Sequence, residues 1–206
     1  MRARKVQLDP EQPDPEIVRE AAALLRRGGL VAFPTETVYG LGANLNDPQA
    51  IQELYQVKAR PFEKQVTIHL ADGSGVTGFD VHVSELAKQL MKRFWPGPLT
   101  LVLAREDGST LGFRVPDHPV ARAVIREANV PVVLPSANKS GEPPPTTAGQ
   151  VFEALADLID MVVDGGPTSM AVSSTVLSLA EEKPKILREG AIGAQVRAYL
   201  EAELEI

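Results

Sequence analysis

The run Lys58-Ala59-Arg60-Pro61, followed by Lys64, sets three cations within seven residues. A guanidinium gives planar, bidentate contacts to phosphate oxygens and an ammonium gives a mobile point charge, so Lys58, Arg60 and Lys64 suit an oligophosphate. Part of the same charge would simply complement the C-terminal end of a helix dipole. A second polar run, Phe33-Pro34-Thr35-Glu36-Thr37-Val38-Tyr39-Gly40-Leu41-Gly42, sets hydroxyls and a carboxylate directly after an apolar stretch. α/β proteins place ligand contacts at such strand ends, although a plain polar turn has the same composition. Pro135-Ser136-Ala137-Asn138-Lys139-Ser140-Gly141 repeats the arrangement with small residues that permit close backbone approach. Taken alone it is a polar loop, as are Ser173-Ser174-Thr175 and Leu187-Arg188-Glu189-Gly190.

Other chemistries lack their residues. Zero Cys removes disulfides, zinc knuckles, iron–sulfur clusters and thiol catalysis together. His69, His82 and His118 stand apart from one another without metal-ligand spacing. There is no P-loop and no nucleophile elbow around a serine. Gly40-Leu41-Gly42-Ala43-Asn44-Leu45 begins like a dinucleotide fingerprint but lacks the third glycine and runs into the turn signal Asn46-Asp47-Pro48.

The 206 residues, 44% hydrophobic and 23% charged, are those of an ordinary globular chain of one domain. No apolar run approaches a membrane span, and the N-terminal residues lead into no signal-peptide core. The expected setting is cytoplasmic, without membrane contact. A net charge of -6 argues against binding nucleic acid by bulk electrostatics. Its distribution is uneven: residues 58–139 carry eleven basic and eight acidic side chains, and none of residues 140–182 is Lys or Arg. A locally basic middle suits a small anionic ligand, or reflects surface scatter.

The elements that must position these residues follow from caps and periodicity. Asp14-Pro15 starts a helix with Ile17, Ala21, Leu24 and Leu25 on one face, stopped by Gly28-Gly29. Leu30 to Phe33 reads as a short buried strand. Asp47-Pro48 starts a second helix, with Ile51, Leu54 and Tyr55 inward, up to Arg60-Pro61. Val66, Ile68 and Leu70 alternate as a strand; Ser84 caps a helix carrying Leu86, Leu90 and Phe94. Leu99 to Leu103 and Gly112 to Val115 read as strands, Pro119 to Ala128 as a helix, and Val130 to Leu134 as a strand. Thr147 to Ile159 reads as a helix, then Met161 to Val163, Thr175 to Leu179 and Ile186 to Leu187 as strands. Ile192 to Ala202 closes the series as a helix, with Val196, Tyr199 and Leu200 inward. Interleaved helices and strands without a linker predict one α/β domain.

Several of these pieces occur in one order: Pro34-Thr35-Glu36-Thr37-Val38-Tyr39-Gly40-Leu41-Gly42, Lys58-x-Arg60-Pro61 through His69, Trp95-Pro96-Gly97-Pro98-Leu99-Thr100, Arg114-Val115-Pro116, Ser136-Ala137-Asn138-x-Ser140-Gly141, Ser174-Thr175-Val176 and Leu187-Arg188-x-Gly190. The ordered set covers about residues 14–192 and resembles the YrdC-like family, the L-threonylcarbamoyl-AMP synthases. The resemblance implies one domain over residues 1–206, a twisted α/β sheet with flanking helices around a concave, positively lined cavity. It implies an enzyme that makes threonylcarbamoyl-AMP and pyrophosphate from L-threonine, bicarbonate and ATP. Partner proteins would then transfer the group to tRNA, with tRNA contact by this chain weak or indirect.

By the same resemblance Lys58 and Arg60 would be catalytic. Arg60, Lys64, Thr110, Ser136, Asn138, Arg188 and the backbone carbonyl of Pro144 would contact ATP. Thr37, His69, Arg114, Leu134 and Ser174 would bind L-threonine, Arg114 its carboxylate. Mg²⁺ would arrive with ATP, held by phosphate oxygens and water rather than by a protein cage. Three departures stand out: Gln65-Val66 replaces a frequent Pro-Leu, Pro144 replaces a small hydroxyl residue, and the chain ends at Ile206, as in the single-domain form. A hydrogenase-maturation enzyme with a related domain is disfavoured by zero Cys. A non-catalytic RNA-binding module is the alternative from another class, resting on the basic middle alone.

Overall fold

The computed structural model describes residues 2–63 and 65–204. Its strands are β1 (Arg4–Gln7), β2 (Val31–Pro34), β3 (Tyr39–Asn44), β4 (Thr67–His69), β5 (Leu99–Ala104), β6 (Thr110–Arg114), β7 (Val132–Val133), β8 (Met161–Asp164), β9 (Thr175–Ser178) and β10 (Lys185–Arg188). Its helices are α1 (Pro15–Arg26), α2 (Pro48–Val57), α3 (Glu85–Phe94), α4 (Pro119–Ala128), α5 (Ala148–Leu155) and α6 (Gly193–Leu204), with a 3-10 turn over Gly73–Gly78. The strands form one mixed sheet in the order β1-β8-β2-β3-β7-β4-β6-β5-β9-β10.

The caps expected from sequence are formed. Asp14, Asp47 and Ser84 each accept a backbone N–H of the helix they precede, and Thr147 with Gln150 makes a reciprocal capping box. Three features differ from expectation. β3 carries Gly40 and Gly42, which hide a strand from propensity. Both glycines answer a close approach: a Cβ on Gly40 would lie 2.7 Å from Leu134 Cδ1, and one on Gly42 3.1 Å from the Val31 carbonyl oxygen. β1 is a largely exposed edge strand, with the charges typical of edges rather than an apolar pattern. The helix expected through Ile159 ends at Leu155, and the Ala156 carbonyl instead receives the N–H groups of Arg2 and Ala3 on the way into β1.

Strand alternation divides the core in two. Ala32, Leu41, Ile68, Leu101, Phe113 and Val162 face one side, where α2, α3, α5 and α6 pack. Val31, Phe33, Val132, Met161 and Val163 face the other, under α1 and α4. Among the described residues, α1 and α4 cover the second side over β8, β2, β3 and β7 and leave the other strands of that side bare. Thr67 and His69 of β4, Thr100 of β5 and Arg114 of β6 alternate with the core residues and so point to the uncovered half. No helix among the described residues is long and apolar enough to cross a membrane.

Candidate active site

That uncovered half holds an open, mainly polar cleft. The structure brings Arg60, His69, Arg114, Leu134, Ser136, Ser174 and Arg188 together along its walls. His69 and Arg114 are direct neighbours in the β4–β6 register. Arg60 follows α2, Ser136 lies after β7, and Ser174 and Arg188 bracket β9 and β10.

Three guanidiniums facing one cleft make it an anion site. Arg188 is locked by its Nε on the Ser174 carbonyl and its Nη2 on Ser174 Oγ, each at 3.0 Å, and Ser174 Oγ lies 2.9 Å from Thr100 Oγ1. Burial, then repulsion from Arg114 and Arg60, lowers the Arg188 pKa from its ordinary value. Arg114 donates from Nε to the Gly97 carbonyl at 3.1 Å and from Nη2 to Thr37 Oγ1 at 2.9 Å. Thr35 Oγ1 donates to the Val38 carbonyl at 2.7 Å and lies 2.8 Å from Thr37 Oγ1. Since the only Thr35 hydroxyl proton goes to Val38, Thr37 donates to Thr35, and beside the bond from Arg114 its hydroxyl has one acceptor position left. The polar run after β2 is therefore the turn of a β2–β3 hairpin, wound around Thr35.

His69 is buried with Nδ1 3.2 Å from the Thr67 carbonyl, so the proton sits on Nδ1 and Nε2 is left as an acceptor. Burial, then the charge of Arg114, pulls its pKa down to about 3 against the hydrogen bond to Thr67, which raises it. The imidazole is neutral at physiological pH. Unfolded chain takes up a proton near pH 6.5 that folded chain refuses until about pH 3. This contribution is complete above pH 6.5 and is lost as pH falls towards 3. Taking the protein from pH 7 to 4 is expected to cost about 3 kcal/mol through this group, a slope that His69→Asn removes. Denaturant midpoints of both proteins across that range check it, and equal acid slopes would contradict a neutral His69.

The remaining expected residues lie outside the cleft wall. Thr37 is fully buried behind it, on Arg114. Lys58 is 2% exposed, and its ammonium donates to the carbonyls of Ser136 and, at 2.6 Å, Asn138. Burial and then Arg60 lower its pKa to about 8. Lys58 thus ties down the loop after β7 rather than facing the cleft. The Asn138 amide nitrogen is turned to the carbonyls of Lys139 and Glu142, at 2.9 and 2.7 Å. Thr110 bonds Gln65 Oε1 at 3.1 Å, at the rim. Pro144 is half-buried away from the wall. Lys64 lies outside the described residues. Sequence reasoning missed Thr35, Gln65, Thr67 and Thr100 as lining residues. Their signal was available: they occupy the turn and the off-core positions of strands whose apolar alternation was already read.

Fold and cleft together define an α/β domain with a cleft suited to a small, multiply anionic ligand. The Sua5/yciO/yrdC family model, described as "Telomere recombination", matches residues 23–190, and the chain belongs to that family. It is 48% identical over 189 residues to a threonylcarbamoyl-AMP synthase of Bacillus subtilis, covering 87% of this chain and 54% of the relative. It is 42% identical over 184 residues to one of Pyrococcus abyssi, covering 85% and 54%. The chain thus spans about half the length of these curated relatives. The solved structure of Pyrococcus abyssi Sua5 complexed with L-threonine superposes with a TM-score of 0.87 at 40% identity, over 91% of this chain and 58% of that one.

Proposed function

We propose that the domain is an L-threonylcarbamoyladenylate synthase, forming threonylcarbamoyl-AMP and pyrophosphate from L-threonine, bicarbonate or CO2, and ATP. The observation that carries this reading is the meeting of Arg60, Arg114 and Arg188 with neutral His69 in one cleft. The names of its relatives, and the L-threonine complex of one of them, support it.

In this reading Arg114 holds the amino-acid carboxylate, and the Nε2 of His69 accepts from the hydroxyl of threonine. Leu134 and Ser174 complete that end, and Thr37 serves it from behind by holding Arg114. The amine attacks the carbon of CO2 and gives up a proton to water, leaving a carbamate. A carbamate oxygen then attacks the α-phosphorus of ATP as the bond to pyrophosphate breaks. Arg60, Arg188 and Lys64 neutralise the leaving charge, which is the main demand of such a transfer. Ser136, Asn138, Thr110 and the Pro144 carbonyl serve the nucleotide, and Lys58 holds the loop that carries two of them. Bringing amine, carbon and phosphorus together supplies the rest of the rate.

Mg²⁺ fits as a companion of ATP. Among the described residues no group of three or more His, Asp or Glu is placed to hold a metal, and the cleft wall carries guanidiniums instead of carboxylates. Phosphate oxygens and water would hold the ion, which would supply charge neutralisation there. The labile product passes to proteins that place the threonylcarbamoyl group on tRNA in the cytoplasm, so contact with tRNA is weak or indirect. The acidic chain, at -6, fits that indirect role. Pyrophosphate release that requires both L-threonine and bicarbonate tests the reading.

A further inference from the structure

We infer that Glu36 is a positioning residue for the amino-acid carboxylate, acting through Arg114 by fixing which edge of that guanidinium the cleft sees. The inference rests on the reading of the cleft as an amino-acid site and assigns a role to a residue outside its wall.

Glu36 sits in the β2–β3 turn and is 6% exposed. Its backbone is pinned from outside, since its carbonyl accepts from Met170 N at 2.9 Å and from Ser169 Oγ at 3.2 Å. Its carboxylate reaches inward, with Oε1 2.8 Å from Arg114 Nη2. Yet neither carboxylate oxygen receives an aligned hydrogen bond from any described group. Nearby, His118 Nδ1 is buried without a partner, and the charge of Glu36 raises the His118 pKa against the larger lowering by burial. A buried carboxylate so poorly served is destabilising, and a purely structural ion pair is expected to be satisfied on all sides. Such violations collect where function requires them.

The geometry says what Glu36 does for Arg114. Nε is taken by the Gly97 carbonyl, and Nη2 by Thr37 with Glu36 beside it. No described group accepts from Nη1, which is left for the cleft. Glu36 holds the Nη2 side back, so that a ligand carboxylate meets Nη1 in one orientation. It also offsets the Arg114 charge, which leaves the positive potential strongest at Arg60 and Arg188, the proposed phosphate end. Without Glu36 the guanidinium turns, and carboxylate recognition loses its register.

The test compares two ligands by calorimetry, L-threonine and L-threoninamide, which lacks the carboxylate. Glu36→Gln keeps the shape and removes the charge. Preference of the wild type for L-threonine is expected to fall about tenfold in this variant, mainly through the L-threonine affinity, with L-threoninamide changed less than about twofold. Glu36→Asp, which keeps the charge at shorter reach, is expected to fall between the two and stands in should Glu36→Gln unfold. Both ligands weakening in parallel, or an unchanged preference, overturns the role of Glu36 and leaves the amino-acid site standing. A wild type that binds neither ligand overturns both.

Discussion

Replacing Arg60 with alanine is expected to lower pyrophosphate release by about 10²–10³-fold while leaving the fold intact. Arg60 is half-buried in the cleft wall, and its Nη2 donates to the Gln65 carbonyl at 2.7 Å, so its head is held without being enclosed. Loss of a partly exposed side chain of this kind changes stability little. Its loss from the cleft removes a preorganised cation from the charge that develops on a leaving pyrophosphate. Arg60→Lys keeps the charge but not the planar fork and is expected to fall between. Circular dichroism and unfolding midpoints establish the fold, and steady-state pyrophosphate release reads the effect. Turnover near that of the wild type would remove Arg60 from the mechanism.

Lys58→Met is expected to behave differently, losing stability and activity together. The ammonium is the donor that the Ser136 and Asn138 carbonyls share, and the Lys58 carbonyl accepts from Ser140 N at 2.7 Å, so one residue clamps both ends of the loop after β7. Methionine fills the stem but leaves two carbonyls without a donor, at a cost of about 2–4 kcal/mol. The loop that positions Ser136 and Asn138 then loosens, and pyrophosphate release falls by about tenfold or more. Denaturant unfolding beside the same assay separates this from Arg60→Ala. A Lys58→Met protein as stable as the wild type would contradict the clamp.

These two variants mark where sequence stopped short of the site. Spacing placed Lys58 and Arg60 at one helix end as a single cationic cluster. α2 ends at Val57, and Ala59 turns the chain in the left-handed region at φ 45°, so Lys58 points into the loop and Arg60 into the cleft. A non-glycine residue in that region leaves no compositional mark. Element type was legible wherever a cap or an apolar period announced it, as for α4, whose bounds Pro119–Ala128 match the expectation. β3 was not, because Gly40 and Gly42 are chosen for the closeness of Leu134 and Val31 rather than for strand propensity. Ile68 and Leu70 announced β4, and the residues between and beside them, Thr67 and His69, supplied the cleft floor. What sequence could not carry was which half of the sheet the helices leave bare. That depends on the order of the strands in the sheet and decides whether an off-core threonine is surface or site.

The most direct measurement is pyrophosphate release from ATP with L-threonine and bicarbonate each omitted in turn. Release only when both are present is the predicted result, because the carbamate that attacks the α-phosphorus needs both. Release that continues without L-threonine would contradict the account, whatever the cleft binds.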